Sequence, residues 1–227
     1  GHLAFICTGR ARASVRSEKL LNMDFDGIIA ACGNYIEMDG KVIYENDLSA
    51  DMVQKVIRVL SECKMPVVLE GSTDYWIDDE GFENDPYVDY LFESLGEHAH
   101  IIRGYDGEIR INKFSADVID GTDYERVKAE FADDFLILEH VENVVEFVPK
   151  GTSKATGIKW LCNHLDIPLD ETYAIGDSVN DLEMLESVGH GIAMGNSMPP
   201  AKEIAEYVTS DISDDGVKNA LKHYGLI

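Results

Sequence analysis

Residues 175 to 181 read Ile-Gly-Asp-Ser-Val-Asn-Asp, so Asp177, Asn180 and Asp181 offer three oxygen-donor side chains within five residues. Carboxylate and carboxamide oxygens are the hard ligands that magnesium prefers. The apolar run Tyr173-Ala174-Ile175 precedes this cluster and a helical pattern follows it. That puts the cluster at the carboxyl end of a strand, where open α/β sheets bind ligands. The plainer alternative is a polar turn in which Asp177 or Ser178 caps the helix. A second strand end is Thr8-Gly9-Arg10, after Leu3-Ala4-Phe5-Ile6-Cys7. A hydroxyl and adjacent backbone amides can hold a phosphoryl oxygen there, and glycine permits close approach. The segment Lys150-Gly151-Thr152-Ser153-Lys154 sets two cations beside a helix start. Lysine in that place can neutralise a transferring phosphoryl group. Taken singly, the last two sites are ordinary, because strands often end in such turns and lysine pairs are usually solvated.

The elements that must position these residues alternate. Gly27 to Ala31 reads as a buried strand, and Tyr35 to Tyr44 as a hairpin turning at Asp39-Gly40. Residues 11 to 22 have a helical look. Ser49 caps a helix in which Met52, Val53, Val56, Ile57 and Leu60 recur at helical spacing. Beyond Pro149, helices and strands follow one another strictly: a helix over Ser153–Leu165, a strand at 173–175, a helix over Asp181–Val188, a strand at 191–194, a helix over 200–206, a short strand at 207–209 and a last helix from Gly216. Such alternation implies a parallel sheet covered on both faces. The expected fold is therefore a Rossmann-like α/β core, residues 1–47 and 150–227, interrupted by an α+β insertion at 48–149.

A chain of 227 residues, 45% of them apolar, can bury a sizeable core as one large domain or two modest ones. Its formal charge of −24 repels phosphate backbones, which argues against nucleic-acid and anionic-membrane partners. Any phosphate site must be made locally, by a cation, a metal or helix-terminal amides. No apolar run is long enough to cross a bilayer, and no secretory leader is evident. Cys7, Cys32, Cys63 and Cys162 show no metal-like spacing, and a reducing cytoplasm is expected.

Together the motifs resemble the haloacid dehalogenase superfamily, specifically its Cof-like sugar-phosphatase branch. Thr8 in FICTGR is similar to that family's second motif, Lys154 in KGTSKATGI to its third, and Asp177, Asn180 and Asp181 in AIGDSVNDLEML to its fourth. The stretch GHGIAMGNSMPPAKEIAEYVTSDISDDGVKNAL continues the likeness almost to the end. The resemblance implies a Mg2+-dependent hydrolase of a small phosphorylated substrate such as a sugar phosphate, with the insertion as its cap. It implies that Asp177 binds the metal, with Asn180 and Asp181 completing or orienting the site. Thr8 and Gly9 would hold the phosphoryl group with Asn180, while Lys154 neutralises it.

The family's first motif is an aspartate pair, DxDGT, whose first member is the nucleophile. Asp24-Phe25-Asp26-Gly27 is not expected to be that motif, since a helical segment precedes it, Ile28 stands where threonine belongs, and it follows Thr8 instead of preceding it. The true motif is expected upstream, separated from Phe5 by a crossover of roughly a dozen residues or more. The chain, which starts Gly1-His2 as after tag removal, is thus expected to be truncated and not to turn over. A core lacking its first strand would expose strand edges, a reason to expect self-association. Two rival readings are a non-catalytic binding pseudophosphatase and a phosphotransferase acting on a sugar. Cys32 stands where the branch usually has asparagine, and reads as a small buried residue. Gly189 to Gly195 misses the dinucleotide fingerprint spacing. His98 and His100 form an HxH pair for which no acidic or cysteine partner in a metal site is expected, and Tyr75, Trp76, Asp78 and Asp79 serve either packing or a sugar pocket.

Overall fold

Short apolar runs bounded by polar turns make the strands of both chain ends, and the computed structural model describes residues 1–83, 85–140 and 143–227. The first end comprises β1 (Phe5–Cys7), α1 (Glu18–Leu21), β2 (Gly27–Ala30), β3 (Tyr35–Met38) and β4 (Lys41–Glu45). Next come α2 (Ala50–Glu62), β5 (Val67–Glu70), β6 (Tyr75–Ile77), α3 (Pro86–Leu95), β7 (Ala99–Ile101), β8 (Lys113–Asp117), α4 (Tyr124–Phe131), β9 (Phe135–Glu139) and β10 (Val144–Pro149). The last end holds α5 (Lys154–Leu165), β11 (Tyr173–Gly176), α6 (Leu182–Ser187), β12 (His190–Ala193), α7 (Pro199–Ile204), β13 (Tyr207–Val208) and α8 (Gly216–His223).

In the two ends, β1 runs parallel to β2, which continues antiparallel into β3 and β4. Strands β11, β12 and β13 form a second, wholly parallel sheet. Helix α5 joins the two sheets, because its Ile158 packs against the Ala174–Met184 cluster on one side and the Ile29–Ile36 cluster on the other. Cys7, at the end of β1, also belongs to both clusters. The hairpin turn falls at Asp39-Gly40, both with positive φ, which is the backbone that a two-residue hairpin requires.

The intervening unit is one six-stranded sheet in the order β7-β6-β5-β8-β10-β9, mostly antiparallel. Strand side chains alternate faces. Leu69, Phe114, Ala116, Val145 and Phe147 therefore meet α2 and α4 in the largest apolar cluster. Val68, Tyr75 and Ile77 on the other face pack against Val88, Leu91 and Leu95 of α3. Asn34 fastens the two crossings into this unit. Fully buried, it donates through Nδ2 to Thr152 Oγ1 (3.0 Å) and accepts through Oδ1 from Asn46 Nδ2 (2.8 Å).

One element departs from expectation. Residues 11 to 22 do not form a helix; a single turn at Arg12–Ser14 and the four-residue α1 take its place. Ala11, Ala13 and Val15 are each buried, at a spacing of two instead of three or four. Ala11 and Ala13 pack into the α3 cluster, and Val15 packs against Ile28 and Ala30. Burial against two different units overrides a local helical preference worth only tenths of a kcal/mol per residue.

Candidate functional site

Parallel strands β1 and β11 both end in glycine-containing turns, and their carboxyl ends open on one cleft with the start of α5. The cleft, about 570 Å³, is lined on this side by Thr8, Gly9, Arg10, Lys154, Asp177, Ser178, Asn180 and Asp181. Three segments far apart in sequence thus meet, and Thr8, Gly9, Lys154, Asp177, Asn180 and Asp181 all line the same space. Lys154 is the first residue of α5, behind the Ser153 cap, whose side chain accepts from Thr156 N. Its ammonium is almost wholly buried and donates to Asp181 Oδ1 at 2.6 Å and to Asn180 Oδ1 at 3.4 Å.

Asp181 is turned inward. Its Oδ2 accepts from the backbone amides of Asp177 (2.9 Å) and Ser178 (3.1 Å), while Oδ1 takes the lysine. Burial opposes its charge, but the Lys154 bond and those amides outweigh burial and hold the carboxyl below the ordinary range. Asp177, by contrast, is exposed, and its carboxylate has no hydrogen-bond partner among the described residues. Magnesium is commonly held by one or two carboxylates plus substrate phosphate oxygens and water, and Asp177 offers such a ligand. No ready-made group of three or more His, Cys, Asp or Glu side chains placed for a metal exists among the described residues.

Thr8 continues the β1–β2 ladder by donating its amide to Ile29 O, and its Oγ1 accepts from Arg10 N at 3.2 Å. A side chain at Gly9 would lie 3.3 Å from Cys32 Sγ and 3.9 Å from Asn180 Nδ2, so its bareness keeps this corner open. Cys32 touches Gly9 O at 3.8 Å, and burial pushes its thiol up to about 11. Lys150 is exposed and lies outside the cleft lining.

Asp24 and Asp26 stand at the opposite end of the sheet. Asp26 precedes β2 and accepts from Ala4 N at 2.7 Å, at the amino ends of β1 and β2. From there to the level of Thr8 is four strand residues, roughly 13 Å.

His98 and His100 do have an acidic partner, which sequence neighbours concealed. Asp74 Oδ1 lies 3.2 Å from His98 Nδ1 and 2.9 Å from His100 Nε2. Of the aromatics considered for a pocket, Tyr75 lines the cleft while Trp76 packs into the opposite core, as alternation along β6 requires. The far wall of the cleft, comprising Glu70, Tyr87, Lys113, Ser115, His140 and Glu146, was missed from the sequence. Its one signal is Lys113-Phe114-Ser115-Ala116, polar and apolar in strict alternation.

A family model described as haloacid dehalogenase-like hydrolase matches residues 1–221. The chain is 30% identical over 244 residues to Bacillus subtilis YkrA, a phosphatase by name, covering 100% of this chain and 86% of that protein. For several other curated relatives the match spans between 33% and 47% of their length. A Geobacillus kaustophilus structure superposes with a TM-score of 0.84 at 25% identity, covering 98% of this chain and 85% of that one. The fold is shared with the subclass IIB sugar phosphatase BT4131, at a TM-score of 0.75 and 22% identity, over 100% of this chain and 87% of that one. With a family model matching residues 1–221 and a relative 30% identical over the whole chain, the chain belongs to the haloacid dehalogenase-like hydrolases.

Proposed function

We propose that the cleft binds the phosphoryl group of a small phosphorylated metabolite, a sugar phosphate or a compound like it, for Mg2+-dependent hydrolysis. The observation that carries this reading is the convergence of Thr8, Lys154 and Asp177 on one cleft from three separate segments. In this reading Asp177 is the metal's carboxylate ligand. Bound there, the ion would neutralise charge on the phosphoryl oxygens. Thr8 Oγ donates to a phosphoryl oxygen, beside the amides of Gly9 and Arg10. Lys154 offsets phosphoryl charge from the other side and, through Asn180 and Asp181, keeps the loop of Asp177 in place. Asp181 is a positioning residue, because both its oxygens are already engaged. Residues 48–149 serve as the cap, and residues 1–47 and 150–227 as the core. The four cysteines are free thiols, which accords with a reducing cytoplasm.

The attacking group in this chemistry is an aspartate carboxylate that becomes phosphorylated and is then hydrolysed. The positions of Asp24 and Asp26, across the sheet from Thr8, support the reading that neither plays that part. These 227 residues then supply the phosphoryl site without the nucleophile. The test compares Mg2+-dependent hydrolysis of an aryl phosphate by this chain and by one extended upstream. Hydrolysis is expected only in the extended protein. Turnover by the 227-residue chain that disappears on Asp24→Asn or Asp26→Asn would overturn this part of the reading. Inactivity of both forms would favour a binding protein without catalysis.

A further inference from the structure

Charge is buried on the wall of the cleft opposite Thr8 and Lys154. Strands β5, β8 and β10 are neighbours, with Glu70 paired to Lys113 and Ser115 paired to Glu146. Because Phe114, Ala116, Val145 and Phe147 point into the apolar core, Lys113, Ser115 and Glu146 point to the cleft, as does Glu70. The side chains of Lys113 and Glu70 are only 5% and 7% exposed. Lys113 Nζ donates to Glu146 Oε1 and lies 3.4 Å from Glu70 Oε2. Glu70 also accepts from Ser115 Oγ (2.5 Å) and from Tyr75 OH (3.1 Å), and Glu146 Oε2 lies 3.0 Å from His140 Nε2.

Burial works against the Lys113 ammonium, but the two carboxylates more than offset it and keep the proton on. Burial likewise opposes the charge of Glu146, and Lys113 holds that carboxyl below the ordinary range. Two carboxylates therefore share one ammonium, and with the His140 ring against Glu146 in its neutral form the wall carries a net negative charge. Buried ionic clusters seldom add stability over apolar packing, so one that fronts a ligand cleft points to recognition.

Resting on the reading of the cleft as a phosphoryl site, we propose that Glu70, Lys113 and Glu146 select the leaving group: they accept an uncharged, hydroxyl-bearing one and reject one carrying a second anion. A hydroxyl can donate to either carboxylate and accept from the remaining N–H of Lys113. A second carboxylate or phosphate on the ligand meets two carboxylates whose one cation is already shared, in a cleft where charges are poorly screened.

The test is calorimetric and needs no turnover. With Mg2+ present, the chain is titrated with inorganic phosphate, glycerol 1-phosphate and 3-phosphoglycerate, the last two differing mainly by a hydroxymethyl and a carboxylate group. Glycerol 1-phosphate is expected to bind at least about tenfold more tightly than 3-phosphoglycerate. In Glu146→Gln and Glu70→Gln, which keep size and shape, that ratio should fall toward one, mainly through tighter binding of 3-phosphoglycerate. If inorganic phosphate binds but the two esters bind equally, or the ratio is unmoved in both variants, this proposal fails while the phosphoryl site stands. If inorganic phosphate does not bind at all, both fail.

Discussion

Lys154 and Asp181 form the pair on which the rest of the site depends. Both side chains are under a tenth exposed, and each is the other's main counter-charge. Removing one partner leaves a buried charge unpaired, a change that costs about 3–5 kcal/mol. Lys154→Met and Asp181→Asn should each lower the urea midpoint accordingly, and a loss under about 1 kcal/mol would mean that the pair is solvated. The pH dependence follows from the direction of the shift. The folded carboxyl of Asp181 titrates below its unfolded value, so its contribution is complete above the ordinary aspartate range, near pH 4, and declines as pH falls through the lower folded value. Wild type and Asp181→Asn should converge in stability on acidification, and a constant gap down to pH 2 would contradict the assignment. At this scale the sequence showed Asp177, Asn180 and Asp181 as a group because they are contiguous. It could not show which carboxylate is latched and which is open. That depends on a lysine 27 positions away. Glu70, Lys113 and Glu146 stayed hidden for the same reason, as single residues on three strands brought together only by sheet pairing.

Among the elements, α5 sets the position of Lys154, and its seat is a glycine contact. A Cβ at Gly157 would come within 2.8 Å of both Gly33 Cα and Ile29 Cγ2. Gly33 has a φ of +86° and would itself meet Ser153 O at 2.3 Å if it carried a Cβ, so neither backbone can retreat cheaply. Gly157→Ala gains about 1 kcal/mol of helix propensity but overpacks the contact at a cost of about 1–3 kcal/mol. A net loss of stability is expected, together with weaker phosphate binding as α5 shifts; a more stable variant with unchanged binding would show that the turn before Asn34 yields. The strands and helices after Pro149 were legible because their periodicities alternate cleanly. Residues 11–22 were not, since their burial pattern is set by two units on which the segment lies and not by its own helical spacing.

Across the whole molecule, a formal charge of −24 surrounds the cleft proposed to take an anion. The surface repels phosphate at long range, and local features of the cleft oppose it: Lys154, the amides after β1 and, in the proposed reading, a cation held by Asp177. The acidity was read directly from composition, and the two-ended α/β plan from the order of its patterns. The depth of the cleft, with the inserted sheet as its far wall, required the fold. The decisive property of the cleft is therefore whether it takes phosphate through a metal at Asp177. Titration calorimetry of inorganic phosphate into the 227-residue chain, with and without Mg2+, for wild type and Asp177→Asn, measures this directly. Binding that needs Mg2+ and falls at least about tenfold in Asp177→Asn, with an unchanged urea midpoint, is the predicted result. Phosphate binding that ignores both the metal and the substitution would contradict it.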